Sequence, residues 1–249
     1  MIYVYAVVER PEQPLPRLAG LRGQELRKIA WHDIAAVVSA YDGAAPSRIA
    51  DEVWRHEAVI ESLMRDCTVV PMRFGTLAPS HRHVEDILCR TYRALAEDIA
   101  RVRGQVEIGL RCASMVAEDA EDAECDCRSA DHALMGPGPG SVYLRARVAK
   151  ERHSRERQSS KLRLVRDVYD KLASHAHDSR LDDRPEDRHG IAAAFLLPRD
   201  RMTAFQEIVS GVAAANPDLA LLCTGPWPPY SFVGAGSHAT NLSETRHAS

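Results

Sequence analysis

Apolar positions along this chain fall into runs whose period changes several times, and each change marks an element. Residues 2–8, IYVYAVV, are rich in β-branched and aromatic side chains and are followed by the proline-rich PEQPLPRLAGLRG, which predicts a strand and then a loop. ELRKIAWHDIAAVVSAY, residues 25–41, holds two short β-type runs around His32 and Asp33, a hairpin. The period becomes helical in SRIADEVWRHEAVIESLMRD, where Ile49, Val53, Val59, Ile60 and Leu63 recur behind Ser47 as N-cap. TVVPMRFG, residues 68–75, is an apolar run closed by Gly75 and reads as a buried strand. Ser80 opens a second amphipathic helix that reaches about Arg103, and QVEIGLRCAS, residues 105–114, alternates as a strand does. Strand, hairpin, helix, strand, helix, strand suits an antiparallel sheet covered by two helices, an α+β plan related to the ferredoxin-like one.

The pattern then breaks. From Glu118 to Asp131 there are seven acidic residues and one arginine, and GPGPG follows at 136–140, so a linker and a domain boundary are expected there. SVYLRARVAKERHSRERQSSKLRLVRDVYDKLASHA predicts a long helix whose apolar stripe is Leu162, Val165, Val168, Tyr169 and Leu172. A polar, charged stretch occupies 177–190, and IAAAFLLP at 191–198 reads as a strand. Asp200 is placed to cap a helix carrying Met202, Phe205, Ile208, Val209 and Val212, and LALLC at 219–223 reads as a last strand. The expected organisation is a two-domain α+β protein. An N-terminal α+β domain spans 1–115, an acidic Gly/Pro linker 116–140, a smaller C-terminal α+β domain with the long helix 141–234, and a disordered tail 235–249.

Composition narrows the function classes. A formal net charge of −3 over 249 residues gives no overall pull toward nucleic acid or an anionic membrane, and 45% hydrophobic residues suffice for real cores. No apolar run approaches the roughly 20 residues of a membrane span, and MIYVYAVVER has no basic region ahead of its apolar residues, so a cytoplasmic protein is expected. Six cysteines in a chain of this length do not form a disulfide framework.

Candidate chemistry is sparse. His56 and Glu57, with Arg73, offer a pocket for a small-molecule enzyme, but neighbours on a helix point about 100° apart and no HExxH spacing accompanies them. Cys125 and Cys127 lack a second pair at zinc-site spacing, and the acids around them oppose thiolate formation. GPGPG lacks the Lys and Ser/Thr of a phosphate loop. Residues 145–166 carry nine Lys or Arg against two Glu without interleaved aromatics, which reads as a solvated or partner-facing helix rather than a nucleic-acid surface. The expectation is no bound metal, no cofactor and no catalysis. TGPWPPYSFV, residues 224–233, is different: its prolines impose a stiff, extended loop that presents Trp227, Tyr230 and Phe232, as a packed plug or as a docking surface.

The chain resembles the gas vesicle protein F/L family (GvpF and GvpL). The likeness rests on YVYAVV, IAAVVSAY, RHEAVIESLM, VVPMRFGT, QVEIGLR, GSVYLRAR, AAFLLPR and TGPWPPYSFV, which run in order from Ile2 to Val233. PMRFG and TGPWPPYSFV are its most specific parts, and they supply the candidate partner-binding residues Arg73, Phe74, Trp227, Tyr230 and Phe232. The acidic cysteine segment and the tail after Gly234 depart from the pattern. The resemblance implies an accessory or minor structural protein of the gas vesicle, with two α+β domains, contact with the very hydrophobic shell protein GvpA and with other accessory proteins, and no established reaction. Whether TGPWPPYSFV touches GvpA or plugs the domain interface stays open at this level.

Overall fold

The computed structural model describes residues 1–10, 12–42, 50–114, 139–182 and 190–234. In the first sheet β1 (Ile2–Glu9) is central and buried along nearly its whole length. One edge of β1 pairs antiparallel with the strand Ile34–Ala40 (β3), which closes the hairpin with Arg27–Trp31 (β2). Its other edge pairs with Val69–Pro71 (β4) and with the short Leu77–Ala78 (β5).

A strand buried on both faces needs cover on both, and the two helices of this half provide it from opposite sides. Ile2, Val4 and Val7 pack with Val84, Ile87, Leu88, Leu95, Ile99 and Val102 of α2 (His81–Val102). Tyr3, Tyr5, Ala6 and Val8 pack with Val59, Ile60 and Leu63 of α1 (Ala50–Leu63). Side chains of a strand alternate between faces, so Tyr5 and Ala6 on one face mark an irregularity. The register of β1 against β3 shifts between Val4 and Ala6, a bulge that places the two neighbours on the same side. Ser80 caps α2, its hydroxyl accepting from the His83 N–H at 3.2 Å, as its position in the sequence predicts.

The second sheet has the order β7-β8-β6-β9, all antiparallel. Its inner strands are β6 (Gln105–Ser114) and β8 (Gly190–Pro198), and its edges are β7 (Asp178–Asp182) and β9 (Leu219–Trp227). Ala193, Phe195 and Leu197 of β8 face Val165, Val168 and Leu172 of α3 (Pro139–Ala173) and Phe205, Val209 and Val212 of α4 (Met202–Ala215). Leu196, on the other face of β8, joins the α2 cluster. From one side to the other the layers are therefore α1, first sheet, α2, second sheet, and α3 with α4.

Several expectations are corrected. The strand 105–114, placed by sequence with the 1–115 unit, hydrogen-bonds in the middle of the second sheet, because its partners, 190–198 and 219–227, lie more than 75 positions away and leave no local trace. The polar stretch 177–190 contains β7, whose Ser179 and Leu181 face inward while Asp178, Arg180 and Asp182 take the other face. Asp200 does not cap α4; it lies in a 3-10 turn, Arg199–Arg201, without a side-chain cap bond. The start of TGPWPPYSFV is not a loop, since β9 continues to Trp227. Ser47, the acidic segment with Cys125 and Cys127, most of GPGPG and the tail lie outside the described residues. Among the described residues no helix is long and apolar enough to cross a membrane.

Candidate functional site

After Trp227 the chain leaves β9 and straps the two halves of the molecule together. Pro228 and Pro229 are buried, and a tight turn follows in which the Tyr230 N–H donates to the Pro228 carbonyl at 2.7 Å and the Phe232 N–H to the Pro229 carbonyl at 3.1 Å. Fixed proline φ angles stiffen this entry, so little chain entropy opposes what comes next. The Tyr230 hydroxyl donates to Glu57 Oε1 on α1 at 2.9 Å. The Ser231 N–H and hydroxyl donate to the two carboxylate oxygens of Glu107 on β6 at 2.8 and 2.7 Å. Phe232 is fully buried in the α2 cluster, with the Arg180 guanidinium over its ring at 5.5 Å. Its carbonyl accepts from Arg101 at 3.1 Å, and the Gly234 N–H donates to Asp98 Oδ2 at 2.8 Å. Three carboxylates, from α1, α2 and β6, thus bind three of the residues in the segment 230–234.

Burial sets the electrostatics of this strap. It raises the Glu57 carboxyl, and the Tyr230 hydrogen bond opposes the rise only in part. Glu107 is likewise raised by burial, with the Ser231 donors and the Arg180 charge pulling it back. Tyr230 is driven far above the usual phenol range by burial and by the charge of Glu57, so its proton stays on the hydroxyl and is available to donate.

His56 sits beneath this contact with no exposed surface. Its Nε2 lies 3.1 Å from the Met72 carbonyl and 3.3 Å from the Tyr230 hydroxyl, and its Nδ1 3.0 Å from the Tyr3 hydroxyl. A carbonyl only accepts, so Nε2 carries the proton and Nδ1 accepts from Tyr3. Tyr3 in turn accepts the Gly75 N–H at 3.0 Å, which completes the chain of donors. Burial lowers the His56 pKa to about 4, so the ring is neutral at ordinary pH. Tyr5 stacks near the ring at 5.8 Å and Phe74 meets it edge-on at 5.7 Å.

The structure divides the residues singled out by sequence. Tyr230, His56 and Glu57 come together, but as a closed and satisfied network rather than a pocket. Phe74 is half-buried against His56, and Phe232 is core. Arg73 is exposed and makes no ion pair among the described residues; only its backbone carbonyl is engaged, by Thr76 N–H and Oγ1. Trp227 is 38% exposed and donates from Nε1 to Thr224 Oγ1 at 3.1 Å. A cleft of about 210 Å³ is bordered by Glu9, Arg65, Cys67, Gln105, Arg199 and Pro229 among others, and none of His56, Glu57 or Arg73 lines it. That volume is below the several hundred Å³ typical of ligand pockets. Among the described residues no three His, Cys, Asp or Glu side chains are grouped to hold a metal ion. With His56 sealed and both of its ring nitrogens engaged, the arrangement does static work: it fixes the strap to α1.

Sequence reasoning missed Tyr3, Asp98 and Glu107. Tyr3 is hidden in an apolar run where its hydroxyl leaves no pattern. Glu107 carried a faint signal, a lone carboxylate in a strand whose other face runs Val106, Ile108, Leu110 and Cys112.

Comparison with known proteins adds to this geometry. Residues 1–234 match the family described as gas vesicle synthesis protein GvpL/GvpF. The chain is 27% identical over 236 residues to gas vesicle protein F1 of Halobacterium salinarum, covering 93% of this chain and 92% of that protein. To gas vesicle protein L of a Streptomyces species it is 29% identical over 268 residues, covering 99% and 97%. In three dimensions it is similar to the crystal structure of GvpF from an Anabaena species, with a TM-score of 0.72 at 22% identity over 95% of this chain and 97% of that one, which shows the shared two-sheet α+β fold. With the match running from the first residue through the strap, the chain belongs to the gas vesicle synthesis protein GvpL/GvpF family.

Proposed function

We propose that the chain is an accessory protein of gas vesicle formation, acting as a minor structural part or an assembly factor that binds the shell protein GvpA and other accessory proteins. The observation that carries this reading is the family match over residues 1–234, which includes the TGPWPPYSFV strap. A newly made shell subunit exposes apolar surface that aggregates unless it is covered, and a rigid partner with apolar side chains on its outside has a physical role there. Trp54 and Trp227 are large apolar side chains exposed at 69% and 38%. Of the five candidate partner-binding residues, Arg73 and Trp227 face outward and take the contact role, while Tyr230 and Phe232 hold the scaffold that presents Trp227. Phe74 stays with the scaffold, against His56.

The test is co-purification of the full chain with GvpA, comparing the parent with Trp227→Ala and Arg73→Ala. The parent retains GvpA, and the variants retain less while melting within a few degrees of it. A parent that captures neither GvpA nor any other gas vesicle accessory protein overturns the reading.

A further inference from the structure

We infer that the outer edge of β9 is a self-pairing interface, through which two copies of this chain join their second sheets into one continuous antiparallel sheet. Exposed sheet edges invite strand addition, and proteins guard them with charges, proline or very short strands. Three of the edges here are guarded in those ways. Arg27 and Lys28 lie on β2, Asp178, Arg180 and Asp182 on β7, and β4 is three residues ending in Pro71. The fourth is not. β9, LALLCTGPW, has no charged residue in nine, and Leu222 at its middle is 58% exposed.

The register within the sheet defines which part can pair. Leu219 to Thr224 run regularly against Ser114 to Gly109, and the irregularity beyond, together with Pro226, ends the ladder. A regular, uncharged stretch of six residues is an ordinary strand length.

The occupant follows from the strand's own pattern. When a strand pairs antiparallel with its copy about a two-fold axis normal to the sheet, residues facing each other must lie on the same face. Centring the axis on Leu222 sets Leu222 against Leu222, Ala220 against Thr224 on that face, and Leu221 against Cys223 on the other. Every cross-strand pair is apolar or small, none is a like-charge pair, and the most exposed apolar side chain of the strand becomes covered. A partner strand of another protein needs no such symmetry, and an edge selected to bind one has no reason to match itself.

The experiment measures oligomeric state over a wide range of concentration by sedimentation, on the full chain and on Leu222→Lys. The parent dimerises reversibly, and the variant, which brings two ammonium groups together on the axis, weakens the dimer at least about tenfold while keeping the parent's melting temperature. A second measurement reads the register directly. In a background with Cys89, Cys125 and Cys127 replaced by serine, Leu222→Cys cross-links to itself under mild oxidation, because directly opposed residues lie within disulfide reach. Ala220→Cys, whose opposite number is Thr224, does not. A parent that stays monomeric throughout, a Leu222→Lys chain that dimerises like the parent, or self-linking by Ala220→Cys in preference to Leu222→Cys each overturns the inference.

Discussion

The Tyr230 hydroxyl donates to the Glu57 carboxylate at 2.9 Å, joining residues 173 positions apart. Because Glu57 is partly buried, removing the donor leaves an acceptor without a replacement of equal quality, and such losses cost about 1–3 kcal/mol. Tyr230→Phe should therefore lower the melting temperature by several degrees, and Glu57→Gln combined with it should cost less than the two changes summed. Trp227→Ala should melt nearly like the parent, since its ring is 38% exposed. Calorimetry on the parent, the two single variants, their combination and Trp227→Ala checks this, and equal losses from Tyr230→Phe and Trp227→Ala would contradict the division of the motif into scaffold and surface.

Acidification probes His56. Its pKa is about 4 in the folded protein against an ordinary 6.5, so the unfolded chain takes up the proton first. The stability tied to this difference, up to about 3 kcal/mol, is present above pH 6.5 and is lost as the pH falls toward about 4. Glu57 and Glu107 act in the opposite sense, since raised carboxyl pKa values favour the fold as they protonate. His56→Gln can still donate to the Met72 carbonyl but cannot titrate. Its stability relative to the parent should improve steadily between neutral pH and pH 5, measured by denaturant unfolding at each pH. A difference that stays constant with pH would show that His56 does not titrate on unfolding.

Cutting the chain tests how the two sheets depend on one another. β6 is followed within 25 residues by α3, yet it lies between β8 and β9. A protease site introduced within residues 120–130 separates the chain into one piece that carries β6 and another that carries its partners. The cut protein should elute as one particle and come apart only in denaturant. Two pieces that separate and each stay folded would show that β6 is dispensable to the second sheet.

Much of this fold is legible along the chain because local pattern and local structure agree: IYVYAVV is a strand, Ser80 caps α2, and Val165, Val168, Tyr169 and Leu172 mark the packed face of α3. The bulge at Tyr5 is not legible, since all of β1 from Ile2 to Val8 is apolar and a change of face leaves the pattern untouched. The membership of β6 is not legible either, because strand character is local and the choice of partner is not. At the site, the 100° between helical neighbours already argued that His56 and Glu57 do not share one ligand, and in the structure His56 turns to Tyr3 and Met72 while Glu57 meets Tyr230. What holds the strap, Glu107 and Asp98, depends on strands and helices brought together from distant segments.

Gly225 and Gly104 separate two reasons for requiring glycine. Both have positive φ, +118° and +69°. At Gly104 an added Cβ meets nothing within 4 Å, and its φ falls near the left-handed region that other residues enter at a cost of about 1–2 kcal/mol. At Gly225 the added Cβ would lie 2.9 Å from the Glu107 carbonyl oxygen and 3.1 Å from Ile108 Cδ1, and its φ is one that only glycine adopts readily. The close oxygen belongs to the backbone of β6, next to the carboxylate that holds Ser231, so relief requires β9 to move away from the strand that anchors the strap. Gly225→Ala should accordingly cost clearly more than Gly104→Ala and should also reduce protection of the Ser231 and Gly234 amides, which donate to Glu107 and Asp98. Thermal melts rank the two variants, and hydrogen exchange locates the damage. If Gly225→Ala melts like Gly104→Ala and leaves those amides protected, the tight approach of β9 to β6 is not what positions the strap.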